Sequence, residues 1–138
     1  MVLKLHANPQ STCGRRVALI LHEKQVPYEL VEAQWTDVKQ DDWLKNQPFG
    51  QMPYIDDDGF ILFESRAIAR YIATKYASQG TPLLPLENNV QSLALVDQAA
   101  SVELANFDPY ASGLVHEKVF KQCVFSLAWC CLHIVINP

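Results

Sequence analysis

The most informative segment of the chain is YIDDDGFILFESRAIARYIATKYA, residues 54–77. Two short apolar runs, 54–55 and 60–63, flank an Asp58-Gly59 pair, a residue combination preferred in tight β-hairpin turns. From Glu64 onward the apolar residues recur at helical spacing, with Ser65 near the start of the run. The segment therefore predicts two antiparallel strands followed by a helix. The residues on the apolar face of that helix are Ile68, Ile72 and Tyr76.

The residues before the hairpin predict a strand, a helix and a second strand. Hydrophobicity alternates weakly over residues 2–5, and Asn8-Pro9 then breaks the strand. Residues 11–24 carry Val17, Ile20 and Leu21 at the helical spacing i, i+3 and i+4. Residues 28–31 are the second strand candidate. Strand, helix, strand and then strand, strand, helix is the order of a thioredoxin-like α/β domain. We expect a mixed four-stranded sheet with flanking helices.

A segment containing one glycine and two prolines follows, and it cannot continue a helix. We predict a first domain over residues 1–78, a linker over residues 79–87 and an incomplete all-α domain over residues 88–138. In that second domain a helix is predicted over residues 90–105, interrupted at Asp108-Pro109 and resumed from Tyr110. One broken helix cannot bury its apolar stripe alone, so it must pack against the first domain, a second chain or residues 123–136.

Composition excludes several classes of function. The chain has 138 residues, 49% of them hydrophobic, and a net charge of −4 without a basic tract, so nucleic acid is not an expected partner. The N-terminus lacks a secretory or transit pattern, which predicts a cytoplasmic protein. The four cysteines of the chain fit neither a zinc motif nor a disulfide framework, so we expect them to be reduced, and we expect no metal. The apolar tail from about residue 122 is shorter than the roughly 20 residues of a membrane span, so no membrane is expected.

Three short segments carry residues suited to ligand binding. Pro48–Pro53 fixes a backbone before a strand, and a cis Met52-Pro53 bond would let Met52 pair with an extended peptide, although a trans bond is equally compatible with the residues. Ser65 opens a helix whose N-terminus favours a carboxylate, while Glu64 is suited to an ammonium; capping of that helix is the alternative role for Ser65. Ser11 lies near another helix start, where a hydroxyl can stabilise an anionic sulfur or simply cap the helix.

Taken together, these segments resemble the cytosolic glutathione transferases, and the phi class in particular. The resemblance extends from about Val2 to Lys121, and its motifs are specific jointly rather than singly. The matching motifs are residues 11–17 (STCGRRV), 21–24 (LHEK), 46–53 (NQPFGQMP), 62–68 (LFESRAI) and 107–112 (FDPYAS).

The resemblance implies a glutathione site. Ser11 would stabilise the glutathione thiolate for conjugation to a small hydrophobic electrophile or for reduction of an organic peroxide. Met52, before a cis Pro53, would pair with the cysteinyl backbone, and Gln51, Glu64 and Ser65 would hold the γ-glutamyl end. Lys39 would meet the glycyl carboxylate. The chain has Val38 where the phi class commonly has a histidine before this lysine, so we expect weaker glutathione binding. A homodimer is also implied.

Other interpretations of the sequence stay open. His116 and Phe120 lie four residues apart on the face that lines the electrophile site in this family, and a core contact explains them equally well. Cys13 permits a glutaredoxin-like thiol transferase, although an inert, partly buried thiol is the preferred interpretation. The tail does not resemble the family, and we favour a truncated reading frame over a segment that folds back. A catalytically weak glutathione- or ligand-binding module is the remaining alternative.

Overall fold

The computed structural model describes residues 2–85 and 89–121, apart from the side chain of Phe120. Its strands are β1 (Leu3–Ala7), β2 (Tyr28–Glu32), β3 (Tyr54–Asp57) and β4 (Phe60–Phe63). Its α-helices are α1 (Thr12–Glu23), α2 (Asp41–Leu44), α3 (Ser65–Lys75), α4 (Val90–Val102) and α5 (Asp108–Val115). A 3-10 turn at Asp37–Lys39 precedes α2, and π-helical turns at Glu103–Phe107 and His116–Phe120 follow α4 and α5.

The four strands form one mixed sheet in the order β2-β1-β3-β4. β1 is parallel to β2 and antiparallel to β3, and β3 is antiparallel to β4. Asp58 and Gly59 both have positive φ, 57° and 86°, as the tight hairpin turn predicted between β3 and β4 requires. The predicted thioredoxin-like α/β fold with flanking helices is confirmed.

The sheet is covered on both faces because successive residues of a strand point to opposite sides. Ile55 belongs to a core formed by β1, α1 and α3, whereas its neighbour Tyr54 packs with Val38, Trp43 and Met52 on the other face. The second cluster places the segment with the 3-10 turn and α2 beside the residues that enter β3. The buried residues of the first core are Leu3, Leu5, Ala7, Val17, Leu21, Val26, Ile55, Ile68 and Ile72.

The predicted bounds of several elements need correction. β1 begins at Leu3 and continues to Ala7 instead of ending at Leu5, and β2 includes Glu32. α1 begins at Thr12 because Ser11 is its N-cap, and it ends at Glu23. The 3-10 turn and α2 were not predicted, since neither is long enough to show a helical period.

The described residues fall into two compact units, with the division between positions 88 and 89. Residues 79–85, predicted as part of a linker, are hydrogen-bonded to the C-terminal end of α1. The N–H of Thr81 donates to the carbonyl of Glu23 over 2.8 Å, and the buried Lys24 donates through Nζ to the carbonyl of Thr81 over 2.9 Å. The predicted domains, 1–78 and 88–138, stay a prediction, and the tail from residue 122 lies outside the described residues.

Residues 90–121 of the second unit are helical, and the predicted interruption at Asp108-Pro109 takes the form of a π-helical turn. Asp108 donates its N–H to the carbonyl of Glu103, five residues back, and Pro109 lies in the first turn of α5. Proline has no N–H and clashes with the carbonyl four residues before it, so a widened turn accommodates it without ending the helix. Within the described residues, every helix is too short or too polar to cross a bilayer.

Candidate functional site

Ser11 lies where β1 leads into α1, and its side chain caps that helix. Its Oγ accepts a hydrogen bond from the backbone N–H of Gly14 over 3.1 Å, and the residue is 5% exposed. This bond uses a lone pair of the oxygen, so the hydroxyl proton remains a donor. The positive end of the α1 dipole lies at the same place. Ser11 can therefore cap α1 and donate to an anion at the same time.

The loop that carries Ser11 is tied to two other parts of the first unit. Asn8 donates its backbone N–H to the sulfur of Met52 over 3.2 Å and its side-chain amide to the carbonyl of Ala33 over 3.0 Å. A Cβ on Gly14 would lie 2.9 Å from Cβ of Ala7, so a glycine is needed for α1 to approach the end of β1 this closely. These contacts place Ser11 and Met52, which are far apart in sequence, on neighbouring loops.

The peptide bond between Met52 and Pro53 is cis, the isomer that the family resemblance implied and the residues alone left open. The preceding residue, Gln51, has both backbone groups bonded inside the protein. Its N–H donates to Oε1 of the buried Gln47 over 3.0 Å, and its carbonyl accepts from Nε1 of Trp43 over 2.9 Å. The Gln51 side chain is exposed, so it remains available to a ligand.

Lys39, the last residue of the 3-10 turn, extends over the same loop. A Cβ built on Gly50 would lie 2.9 Å from Nζ of Lys39 and 3.0 Å from the carbonyl of Val38. Gly50 also has a φ of +62°, a conformation that glycine adopts without steric cost. The fold thus brings the ammonium of Lys39 beside the loop that leads to Met52.

Glu64 and Ser65 open α3, but Ser65 is not its cap. Glu64 occupies the N-cap position with a φ of 69°, and its exposed side chain makes no capping hydrogen bond. Ser65 is the first residue of α3 and is 5% exposed, and its Oγ accepts a hydrogen bond from Nη1 of Arg16 over 2.7 Å. The capping role considered for Ser65 is therefore wrong, and an arginine of α1 holds its side chain instead.

Cys13 lies in the first turn of α1 and is half-buried, as expected for a thiol that is not fully accessible. Its Sγ accepts a hydrogen bond from Nη1 of Arg16 over 3.6 Å. The same nitrogen therefore contacts Cys13 and Ser65. Sequence reasoning does not single out Arg16, because a pair of arginines on a helix is usually solvated. Only the packing of α1 against α3 shows where its side chain ends.

Tyr54, which packs with Met52, contacts two further aromatic rings. The rings of His6 and Tyr54 stack with centroids 4.3 Å apart, and Trp43 meets Tyr54 edge-on at 4.8 Å. Burial lowers the pKa of His6, against an opposing effect of Asp56. Burial likewise raises the pKa of Tyr54, which Asn46 partly offsets by a hydrogen bond. Both shifts favour the uncharged rings.

The residues predicted for an electrophile site lie in the second unit. His116 begins the second π-helical turn, has a 68% exposed side chain, and lies 3.9 Å from a carboxylate oxygen of Glu117. The side chain of Phe120 lies outside the described part of the chain. The pairing of these two residues stays a prediction. Within residues 2–85 and 89–121, no three histidine, cysteine, aspartate or glutamate side chains are grouped as metal ligands.

Comparisons with a family model and with known protein sequences point to the same family. Residues 1–74 match the family described as glutathione S-transferase, N-terminal domain. Glutathione S-transferase F12 of Arabidopsis thaliana is 43% identical over 123 residues, which are 88% of this chain and 56% of that protein. The chain spans little more than half the length of the curated relatives it matches.

Solved structures agree with this match. The crystal structure of glutathione transferase F7 from Populus trichocarpa superposes with a TM-score of 0.82 at 37% identity, covering 88% of this chain and 58% of that one. The structure of maize glutathione S-transferase I in complex with an atrazine glutathione conjugate gives a TM-score of 0.77 at 28% identity, covering 90% and 57%. The chain belongs to the glutathione S-transferase family, and its plant relatives are of the phi class.

Proposed function

We propose that this chain binds glutathione and, through Ser11, supplies its thiolate for transfer to a small hydrophobic electrophile. The observation that carries the proposal is the position of the Ser11 hydroxyl. It is buried at the N-terminus of α1, its oxygen accepts from Gly14, and its proton remains available.

The hydroxyl of Ser11 acts on the sulfur of bound glutathione. A hydrogen bond to the thiolate, together with the positive end of the α1 dipole, favours the anion over the thiol and lowers its pKa. The thiolate then attacks the electrophilic carbon, a carbon–sulfur bond forms, and the leaving group departs with the bonding electron pair. Reduction of an organic peroxide would begin with the same thiolate attacking a peroxide oxygen: a sulfur–oxygen bond forms, the oxygen–oxygen bond breaks and the alcohol leaves. A second glutathione then attacks the sulfenic acid and releases water to give glutathione disulfide, so both reactions depend on Ser11.

The rest of the tripeptide is held along its backbone and at both ends. Met52, before the cis Pro53, pairs with the cysteinyl backbone, while Gln51, Glu64 and Ser65 bind the γ-glutamyl part. Glu64 suits the ammonium, and Ser65 with the first N–H groups of α3 suits the α-carboxylate.

Lys39 meets the glycyl carboxylate as a point charge beside Gly50. Because Val38 is buried and offers no donor, this end of the ligand has one hydrogen bond fewer than the family commonly provides. We expect this loss to weaken glutathione binding without abolishing it, by about 0.5–3 kcal/mol.

The partners follow from the same chemistry. A glutathione conjugate is bound by the maize relative, which supports an electrophile as second substrate. We propose that His116 and Phe120 contribute to its site, that a homodimer forms and that the protein acts in the cytoplasm. Glutathione is the co-substrate, and no metal is needed for this reaction.

The proposal is tested by measuring glutathione binding calorimetrically and conjugation of a general aryl halide on the full chain. Replacing Ser11 by alanine should leave most of the binding and remove most of the conjugation, while the ultraviolet absorbance of the bound thiolate should disappear at neutral pH. Ser101→Ala is the matched control, because Ser101 is an exposed serine of α4 that donates to the Asp97 carbonyl. Equal activity of Ser11→Ala and Ser101→Ala would exclude the role of Ser11.

Two other functions give different results in the same experiment. Retention on immobilised glutathione without any conjugation would indicate a glutathione-binding module. Loss of activity in Cys13→Ser but not in Ser11→Ala would indicate a thiol transferase. The observation that motivates this second function is the contact between Nη1 of Arg16 and Sγ of Cys13.

A further inference from the structure

The contact between Arg16 and Ser65 joins two helices that carry different parts of the candidate site. The two residues are 49 positions apart in sequence, and Nη1 of Arg16 donates to Oγ of Ser65 over 2.7 Å. Arg16 lies on α1, which Ser11 caps, and Ser65 is the first residue of α3. A bond of this length to a charged donor is strong and directional.

This hydrogen bond fixes what the Ser65 hydroxyl can do. Its oxygen accepts from the guanidinium, so its proton must be donated elsewhere, and Ser65 is only 5% exposed. A carboxylate placed at the start of α3 would receive that proton and the unpaired backbone N–H groups of the first turn. Without the arginine, the hydroxyl could rotate and bond to other acceptors.

The guanidinium of Arg16 makes a second contact. The same Nη1 lies 3.6 Å from Sγ of Cys13, one turn earlier on α1. The positive charge of the guanidinium adds to the positive end of the α3 dipole. Both effects favour a negative group beside Ser65.

We propose that Arg16 is a positioning residue for glutathione recognition, which orients the Ser65 hydroxyl toward the α-carboxylate of the γ-glutamyl group. The proposal rests on the proposed function, because it names a residue behind the same site. Arg16 acts through Ser65 and takes no part in the step at sulfur, which belongs to Ser11. Its removal should therefore change KM for glutathione and leave kcat near its original value.

The experiment compares two ligands on the full chain. One is glutathione, and the other is the analogue whose γ-glutamyl α-carboxylate is a carboxamide. Arg16→Gln should weaken glutathione binding about tenfold or more and change analogue binding much less, since the lost interaction is with the carboxylate. Arg15→Gln is the matched control: this exposed neighbour donates through Nε to the carbonyl of Pro9, and its loss should affect neither ligand.

A double-mutant cycle tests whether Arg16 acts through Ser65. If it does, Arg16→Gln combined with Ser65→Ala should weaken glutathione binding no more than Ser65→Ala alone. Arg16→Lys, which keeps the charge but loses the planar geometry, should give an intermediate preference for glutathione over the analogue. If Arg16→Gln does not fold, Arg16→Lys replaces it, and an unchanged ligand preference in that variant would overturn the proposal.

The remaining outcomes separate this proposal from the function it depends on. Equal weakening of both ligands by Arg16→Gln would mean a general structural role and would overturn it. If the losses of glutathione affinity in the cycle are fully additive, Arg16 does not act through Ser65 and the proposal is overturned, while the unaltered chain still binds glutathione. If the unaltered chain binds neither ligand, the proposed function and the role of Arg16 both fail.

Discussion

The backbone N–H of Asn8 donates a hydrogen bond to the sulfur of Met52 over 3.2 Å. Both residues are buried: Asn8 lies in the loop that leads to Ser11, and Met52 precedes the cis Pro53. This bond connects the loop that would hold the thiolate to the loop that would hold the cysteinyl backbone. The distance between those two parts of the site therefore depends in part on a thioether.

Replacing Met52 by leucine should test this connection. Leucine keeps the apolar volume but leaves the buried N–H of Asn8 without its acceptor, so the free energy of unfolding should fall by about 1–2 kcal/mol. Urea denaturation measures this change, and glutathione affinity should decrease with it. The reverse exchange, Leu62→Met, alters a half-buried strand residue without a sulfur bond and should cost less. Equal stabilities of the two variants would contradict the role of the thioether.

The stacked His6 ring should make stability depend on pH. Burial holds the pKa of His6 below its ordinary 6.5, so the unfolded chain binds more protons than the folded one between the two pKa values. The contribution of His6 to stability should therefore be constant above about pH 6.5 and decrease as the pH falls through that value toward the folded pKa. Thermal denaturation across this range measures the slope. His6→Phe keeps an aromatic ring against Tyr54 and should reduce the dependence of stability on pH. An unchanged pH dependence would mean that a group other than His6 causes it.

Asp57, at the end of β3, should make stability depend on pH in a more acidic range than His6 does. Burial alone would raise its pKa, but hydrogen bonds from Lys75 and Tyr71 of α3 bring the pKa below the ordinary 3.8. The carboxylate therefore stabilises the fold at neutral pH, and this contribution should be lost as the pH falls below about 3.8. Asp57→Asn should cost about 1 kcal/mol near pH 7, since Lys75 is 41% exposed and solvent weakens the pair.

Urea denaturation of Asp57→Asn and of the unaltered chain at several pH values tests whether the Asp57 carboxylate stabilises the fold. The stability difference between Asp57→Asn and the unaltered chain should shrink toward zero in acid. Lys45 and Asp42 provide the matched control, because their ion pair is almost fully exposed and Asp42→Asn should change stability little at any pH. A difference for Asp57→Asn that persists in acid would mean that packing, and not charge, causes it.

The sequence predicted the elements with strong periodicity and missed those that depend on tertiary contacts. The hairpin was predicted correctly because Asp58 and Gly59 favour the positive φ values that the turn requires. α1 and α3 were predicted from the spacing of residues such as Val17 and Ile68. The 3-10 turn and α2 were missed, because these short segments are held by contacts such as the hydrogen bond from Trp43 to Gln51.

The same distinction applies to the candidate site. Motif residues such as Ser11 and Met52 could be named in advance, because a serine near a helix start and a residue before Pro53 are suited to ligand binding, and the family resemblance then implied their roles. Arg16 could not, since its partner Ser65 is 49 residues away and only the packing of α1 against α3 brings the two together. The isomer of the Met52-Pro53 bond was likewise open from the residues, because an X-Pro bond differs little in energy between its two forms.

Gly50 offers a test of how Lys39 is positioned. Gly50→Ala would introduce a methyl group 2.9 Å from Nζ of Lys39 and 3.0 Å from the carbonyl of Val38, at a residue with a φ of +62°. The positive φ should cost about 1–2 kcal/mol of stability, and the displaced ammonium should weaken glutathione binding. Calorimetric titration with glutathione and with its glycyl carboxamide analogue measures the second effect, which should be confined to the ligand with the carboxylate.

The hairpin supplies the control for this variant. Gly59 has a φ of +86° and nothing within 4 Å of a built Cβ, so Gly59→Ala imposes a similar backbone cost without touching a neighbouring side chain. It should lower the free energy of unfolding and leave glutathione affinity unchanged. In a Lys39→Gln background, Gly50→Ala should lose its effect on affinity but keep its effect on stability. If the two glycine variants weaken glutathione binding equally, the loss comes from general destabilisation and Lys39 is not held in place by the contact at Gly50.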